Sequence, residues 1–244
     1  MIVVPAGTFQ MGSNSGESDE KPVHLVSIRS VAVGKHEVTV GQFLECVRTN
    51  GCREPEWREP GSKYNAKTGS NREYRKLGKA LSGKTHPIIG INWHDAKMYA
   101  VWLSAKTGNH YRLLTEAEWE YAARGGAKSE DLFGKGSANC DGCGSRWDNK
   151  QPAPIGSFPA NGFGLHDMLG NVWEWTQDCW NKSYNGNPPA DGSAWTEGRC
   201  VFRVLRGGSW ISDPTLVRAA ARGWIKPTAR LDAAGFRVAR NVSH

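Results

Sequence analysis

The residues best able to do chemistry are six cysteines and seven histidines in a chain of 244 residues. The cysteines fall into pairs along the sequence: Cys46 with Cys52, Cys140 with Cys143, and Cys179 with Cys200. Three chemistries fit them. Neighbouring pairs can close as disulfides, or all six can stay as buried thiols in a reducing cytosol. Cys46, Cys52, Cys140 and Cys143 can also be drawn as a thiolate zinc site, although the first spacing is wide for a zinc knuckle. The histidines, at 24, 36, 86, 94, 110, 166 and 244, make no i, i+4 pair or other metal spacing. No Gly-Xaa-Ser-Xaa-Gly elbow, phosphate loop or nucleophile–base pair accompanies them, which removes the common hydrolase and nucleotide-binding centres.

The elements that must hold these residues are short. Residues 3–11 alternate and end at Gly12-Ser13, which reads as a strand entering a turn. Residues 23–33 alternate again after a polar loop. Thr39 opens a helix to about Asn50, with Phe43, Leu44 and Val47 on one face and Gly51 beyond its end. Residues 53–84 are polar, basic and broken by Pro and Gly, and are expected to form a long surface excursion. Residues 86–91 return to the core. Asn92 caps a helix over 93–107 that stops at Gly108, with Ala96, Tyr99, Ala100 and Leu103 as its apolar stripe. Thr115 to Glu118 is a capping box for a helix ending at Arg124, before Gly125-Gly126. After that, Gly, Asn, Asp and Pro recur every few residues. Only short strands fit, near 153–158, 172–176, 201–207 and 235–239. No repeat or linker divides the chain, so one domain over 1–244 is expected.

Composition agrees with a fold rich in loops and turns. Eleven Trp and 29 Gly occur with few long apolar runs. Lys and Arg number 31 against 24 Asp and Glu, a net charge of +7. Part of that excess lies in residues 53–84, and no basic helix with interleaved aromatics appears. A solvated basic surface is expected, and no nucleic-acid partner. No run approaches ~18 apolar residues, so no membrane span is expected. Residues 1–7 lack a basic n-region, and the chain as it stands reads as cytoplasmic.

Several phrases occur in a telling order. Pro5 to Gly12 (PAGTFQMG) opens the chain and Glu37-Val38-Thr39 precedes the first helix. Residues 87–95 follow, then Arg112 to Glu120 (RLLTEAEWE), residues 164–175, and Arg206-Gly207-Gly208-Ser209-Trp210. Gly235-Phe236-Arg237 closes the series. Together they resemble the formylglycine-generating-enzyme (sulfatase-modifying factor) family over essentially the whole chain. That resemblance implies an α+β, irregular C-type-lectin-like domain with few helices and short antiparallel strands.

It also implies two structural calcium sites. In one, Asp167 and Glu174 would give side-chain oxygens, and Gly170 and Val172 carbonyls. Asp167 and Glu174 flank Gly170-Asn171, where a tight turn can fold both carboxylates inward, and calcium favours such hard oxygens. A salt bridge from Glu174 to a core Arg is the alternative. The second site would use Asn139, the Cys140 carbonyl and Asp148, which are equally at home as turn residues.

In one respect the chain departs from the family, whose members activate oxygen at a copper ion bound by two cysteines just after the Gly-Gly-Ser motif. Here Ser212 falls at the first position and Val217 near the second, and no cysteine follows Cys200. A hydroxyl cannot replace a thiolate on Cu(I), so no copper and no formylglycine chemistry by that route are expected. Trp173 and Ser209 match pocket residues of the family.

Residues 203–240 have a second resemblance. Framing residues (203–210, 217–220, Pro227, Arg230 and 235–237) enclose Ile211, Ser212, Asp213, Thr215, Leu216, Ala221, Gly223, Trp224, Ile225, Lys226, Leu231, Asp232 and Ala233. The enclosed residues follow no amphipathic period. The layout resembles the variable proteins of diversity-generating retroelements, where adenine-directed mutagenesis alters C-terminal loops on the same scaffold. Most of the enclosed residues can arise from AAC codons in that way, whereas Trp224 and Lys226 cannot. Ordinary family members share the frame as well. The implied function is binding of a protein or small-molecule ligand by the C-terminal loops, with Trp224 and Ile225 as apolar anchors. The alternatives are an oxidative enzyme with a non-standard site and an inactive regulatory paralogue.

Overall fold

The computed structural model describes residues 1–127, 136–197 and 200–242. The chain runs β1 (Ile2–Val4), β2 (Gly7–Met11), β3 (His24–Ile28), β4 (Val31–Val33), α1 (Val40–Arg48), α2 (Arg72–Leu77), α3 (Lys79–Ser82), α4 (Trp93–Thr107), β5 (Tyr111–Leu113), α5 (Glu116–Arg124), β6 (Trp173–Cys179), β7 (Arg203–Arg206), β8 (Arg222–Ile225), β9 (Ala234–Gly235) and β10 (Val238–Asn241). One sheet has the order β1-β4-β10-β5 and is antiparallel throughout. β2 and β3 form a separate hairpin. The third sheet has the order β8-β7-β6-β9, with only β6 and β9 parallel. The architecture is α+β, as expected.

The helix signals act as written. Asn92 Oδ1 accepts from Asp95 N–H at 3.0 Å, and Asp95 answers from the Asn92 N–H at 2.9 Å. Thr115 and Glu118 make the same reciprocal box at 3.0 and 2.9 Å. Gly108 and Gly125 end α4 and α5 in the left-handed conformation that glycine adopts without a Cβ clash.

Three expectations need correction. Residues 3–11 and 23–33 are each two strands, because the chain changes sheets at Pro5-Ala6 and at Arg29-Ser30. Residues 153–158 are not a strand. Pro154 cannot donate to a ladder, and the segment's amides go elsewhere: Ala153 N–H to Asn171 Oδ1 at 2.8 Å and Gly156 N–H to Asp167 Oδ2 at 2.5 Å. Residues 53–84 are no mere excursion. Trp57, Tyr74, Leu77 and Leu81 are buried in the main core with Phe43, Ile88, Ile91, Trp175 and Phe236. Tyr74, Leu77 and Leu81 stand at i, i+3 and i+7, so the polar exterior of α2 and α3 hides one apolar face. A second core joins Val4, Val26, Val33, Trp119, Leu165, Met168 and Ala239. Among the described residues, no helix is long and apolar enough to cross a membrane.

All three neighbouring cysteine pairs are disulfides, and no described cysteine is free. Neither the free-thiol alternative nor the zinc set of Cys46, Cys52, Cys140 and Cys143 is formed. Cys179–Cys200 closes the largest loop, a separation of 21 residues. Replacing both by alanine is expected to cost about 3 kcal/mol, most of it through the freed unfolded chain. Urea unfolding of the double variant measures it, and a loss below about 1 kcal/mol would refute the expectation.

Candidate functional site: the C-terminal loops

Five arginines fix the last forty residues to the rest of the protein. Arg206, with no exposed surface, pairs with Glu120 and donates to the Ala220 and Ala221 carbonyls at 2.7 Å. Arg218 pairs with Glu20, and Arg222 with Glu116 at 2.7 Å. Arg230 reaches Glu59 at 2.7 Å and Asp95 at 3.3 Å, and Arg237 holds Glu174 at 2.7 Å. Every carboxylate partner precedes residue 180. Buried arginine forks of this kind fix geometry because breaking one strands a charge.

The loops between these anchors carry the expected binding residues, and the structure sorts them into two patches and a buried remainder. Ile211, Asp213, Thr215 and Leu216 are exposed on one loop. There Asp213 Oδ1 accepts from both the Thr215 N–H at 2.9 Å and its hydroxyl at 2.7 Å, so the two polar groups satisfy each other. Ile211 and the half-buried Asp232 line a cleft of about 530 Å³ with Leu77, Lys76, Asn149 and Trp210. The second patch is on β8. Trp224 is 48% exposed, with its ring centroid 4.8 Å from those of both Trp180 and Phe202, and the exposed Lys226 follows. Ile225 and Leu231 are half-buried against the main core. Gly223 passes over Trp173, where a Cβ would meet the ring at 3.2 Å. Ala221 and Ala233 are buried and present no side chain to a ligand.

Trp180 and Phe202 were not singled out from sequence, although each lies within two residues of the Cys179–Cys200 disulfide. That disulfide brings the two rings to one spot.

At the positions where the family's cysteine pair would stand, both residues are committed to packing. Ser212 is buried; its hydroxyl accepts from the Ser209 N–H at 3.0 Å and lies 3.0 Å from Ser209 Oγ. Val217 is fully buried with Ala138, Cys140 and Cys143.

The two calcium assignments differ in how well they fit. Glu174 has both oxygens engaged by Arg237, at 2.7 to 2.9 Å, and Oε2 also accepts from Trp119 Nε1 at 2.8 Å. Its role as a free ligand does not fit; the core salt bridge is what forms. Asp167 is buried with Oδ1 unpartnered, and so is Glu37 with Oε2 unpartnered. Burial raises both carboxyls above the ordinary range, with the Asp167 carboxylate adding to the rise at Glu37 and the Glu174 carboxylate to that at Asp167. At the second site, Ser145 Oγ lies within hydrogen-bond reach of Asn139 Oδ1 and Asp148 Oδ1. Both are hard oxygens of the kind calcium takes, and Ser145 Oγ is shared between them. Among the described residues, no group of three or more His, Cys, Asp and Glu could hold a metal ion.

Asp178 is fully buried near this region, taking the Glu116 N–H at 2.6 Å and the Trp195 N–H at 2.7 Å. Burial, then the nearby Glu116 carboxylate, raise its pKa to about 7, against the opposing pull of the two amides. A raised folded pKa means the native state holds the proton more tightly. The associated stability is present below 3.8 and is lost as pH rises through about 7. A carboxyl carbon-13 titration should find a midpoint near that value; one near the model-compound value would overturn the assignment.

Comparison with known proteins decides the family. The model of the sulfatase-modifying factor enzyme 1-like domain matches residues 1–242. The chain belongs to this family. The formylglycine-generating enzyme of Streptomyces coelicolor is 31% identical over 290 residues, covering 99% of this chain and 89% of that protein. The serine/threonine-protein kinase pkn1 of Chlamydia caviae is 32% identical over 256 residues, and the chain spans only 38% of that kinase's length. Among solved structures, PvdO from Pseudomonas aeruginosa superposes with a TM-score of 0.82 at 35% identity, covering 98% of this chain and 93% of that one. Treponema denticola variable protein 1 superposes with a TM-score of 0.73 at 22% identity, covering 98% and 94%, which establishes shared fold. This sulfatase-modifying-factor domain therefore has the C-type-lectin-like architecture that the ordered phrases implied.

Proposed function

We propose that this chain is a non-catalytic ligand-binding protein on the formylglycine-generating-enzyme scaffold, its ligand a protein or small molecule held by the C-terminal loops. In this reading it works as the variable proteins of diversity-generating retroelements do. One observation carries it: Arg206, Arg222 and Arg237 are buried, Arg218 and Arg230 half-buried, and all five are paired, while Ile211, Asp213, Thr215, Leu216, Trp224 and Lys226 between them face solvent. Such loops can change without unfolding the core. The burial of Ser212 and Val217, with no thiol at either position, supports binding over copper chemistry. Three disulfides support maturation in an oxidising compartment rather than the cytoplasm. Calcium at Asn139 and Asp148 would brace the adjoining loop: the Asp141 N–H donates to the Ser212 carbonyl at 2.9 Å.

A protein and glycan array probed with the full chain tests the reading. Trp224→Ala is expected to weaken a captured ligand about thirtyfold, the loss of one aromatic anchor, with near-ultraviolet dichroism unchanged. Binding indifferent to Trp224 and to the 211–216 loop would overturn it. A second reading, an oxidative enzyme with a non-standard site, draws on the identity to the Streptomyces coelicolor enzyme. Metal-dependent oxygen consumption with a peptide thiol would favour it.

A further inference from the structure

The helix α4 is apolar on two opposite sides. Ala96, Tyr99 and Ala100 are buried in the main core, with Leu103 half-buried against it. On the far side His94, Met98, Val101 and Ala105 stand at i, i+4, i+7 and i+11, and all four are exposed. Met98 is 53% exposed and Val101 60%. At ~1.5 Å per residue the stripe is about 16 Å long. A surface helix ordinarily turns charge to water along its outer face, whereas a helix apolar all round is buried all round. Trp102 widens the stripe on one side: its indole N–H donates to Thr49 Oγ1 at 3.0 Å, and Lys106 Nζ stands 4.9 Å from its ring centroid. Beside Met98 a groove of about 660 Å³ opens between Arg53 and Thr228. Charge around the stripe is one-sided. Arg48 and Lys106 share Glu45, at 2.7 and 3.4 Å. Arg53 holds Asp95 at 2.6 Å, but that buried carboxylate is shared with Arg230. Lys97 lies over the Trp93 ring at 4.8 Å.

We infer that the outer face of α4 docks an acidic amphipathic helix of a partner protein. Met98, Val101 and Ala105 receive the partner's apolar stripe, the arrangement by which one helix lies along another surface. Lys97 on one flank and Lys106 on the other meet its carboxylates, and the groove beside Met98 admits a long side chain. Charge argues against a second copy of this chain as the occupant. Two α4 helices packed antiparallel about a two-fold axis set the Lys97 flank of each against the Lys97 flank of the other, and like charges face to face oppose association. The net charge of +7 adds to that repulsion and favours an acidic partner. The face belongs to α4 and not to the C-terminal loops, so the inference stands whatever those loops bind.

The test uses the full chain and two fluorescent synthetic peptides, read by anisotropy. Both are alanine-rich helices with leucine at i, i+4, i+7 and i+11; one carries glutamate on both flanks and the other lysine. The glutamate peptide is expected to bind with a Kd on the order of 10 µM, about tenfold tighter than the lysine peptide. Its binding should weaken about threefold between roughly 0.05 and 0.3 M salt. Val101→Glu is expected to weaken it about thirtyfold, while the unfolding temperature of so exposed a site moves by less than about 2 °C. Lys97→Glu combined with Lys106→Glu should reverse the preference between the two peptides, which a damaged fold would not do. Equal affinity for the two peptides, or indifference to Val101→Glu, refutes the inference. So does a glutamate peptide that fails to bind below about 1 mM. Sedimentation that finds a dimer dispersed by Val101→Glu would also refute it, making a second copy the occupant.

Discussion

Arg237→Ala is expected to lower the unfolding free energy by about 3–5 kcal/mol, a large share of the ~5–15 kcal/mol that holds a typical domain together. Arg237 has no exposed surface and lies at the junction of three segments. Its Nε and Nη2 grip both Glu174 oxygens, and its remaining donors reach the carbonyls of Gly34, Lys35, His166 and Asp167. Alanine leaves Glu174 ionised in a dry interior and strips those carbonyls of a donor. Lysine should rescue little, because an ammonium lacks the planar fork that meets both carboxylate oxygens. Equilibrium unfolding in urea, with soluble yield as the fallback for a variant that does not fold, reads the effect. A loss below about 1 kcal/mol would mean that water reaches Glu174 readily, which its 1% exposure argues against.

Gly207→Ala is expected to cost about 4 kcal/mol, from two sources of comparable size. The backbone is at φ +99°, which an L side chain adopts only under strain of ~1–3 kcal/mol. A Cβ would also stand 2.8 Å from the Met168 carbonyl oxygen and 2.9 Å from the Trp119 ring, both held firmly in the second core. Overpacking of that kind typically adds ~1–3 kcal/mol. The Gly207 carbonyl also accepts the Gly170 N–H at 2.8 Å, so any shift carries over to the 166–172 turn. Gly61→Ala is the control: it too has positive φ, but nothing lies within 4 Å of the added carbon. Gly61→Ala should show the strain without the clash, and equal losses at the two sites would refute the division.

What could be read from the sequence was local. Asn92, Thr115, Gly108 and Gly125 announce α4 and α5 because caps and stops act within a few residues. β5 and β8 escaped because three or four residues carry too little alternation to stand out, and both form only through partners more than fifteen residues away. The same limit hid most of the site. That Ser212 and Ala221 face inward while Asp213 and Trp224 face outward depends on Ser209 and Arg206, whose roles no spacing rule reveals. The core salt bridge at Glu174 was legible as an alternative to calcium, but the choice between them needed Arg237 in space. Glu37 was read only as part of the phrase before the first helix, because its bond to Asn171 spans 134 positions. The disulfides were legible as neighbouring pairs, since short loops close most readily.

The position of β10 bears on how the molecule is made. This strand is interior, with β4 on one side and β5 on the other, so the first sheet exists as two unconnected pieces until residue 241 is in place. On the ribosome the residues before it must wait, with Glu174 lacking the arginine that will cover it. A chain stalled or cut before Val238 would present two raw strand edges and a half-built core. Chaperone occupancy during synthesis should therefore persist until Val238–Asn241 have emerged, and deleting those four residues should be more damaging than their number suggests.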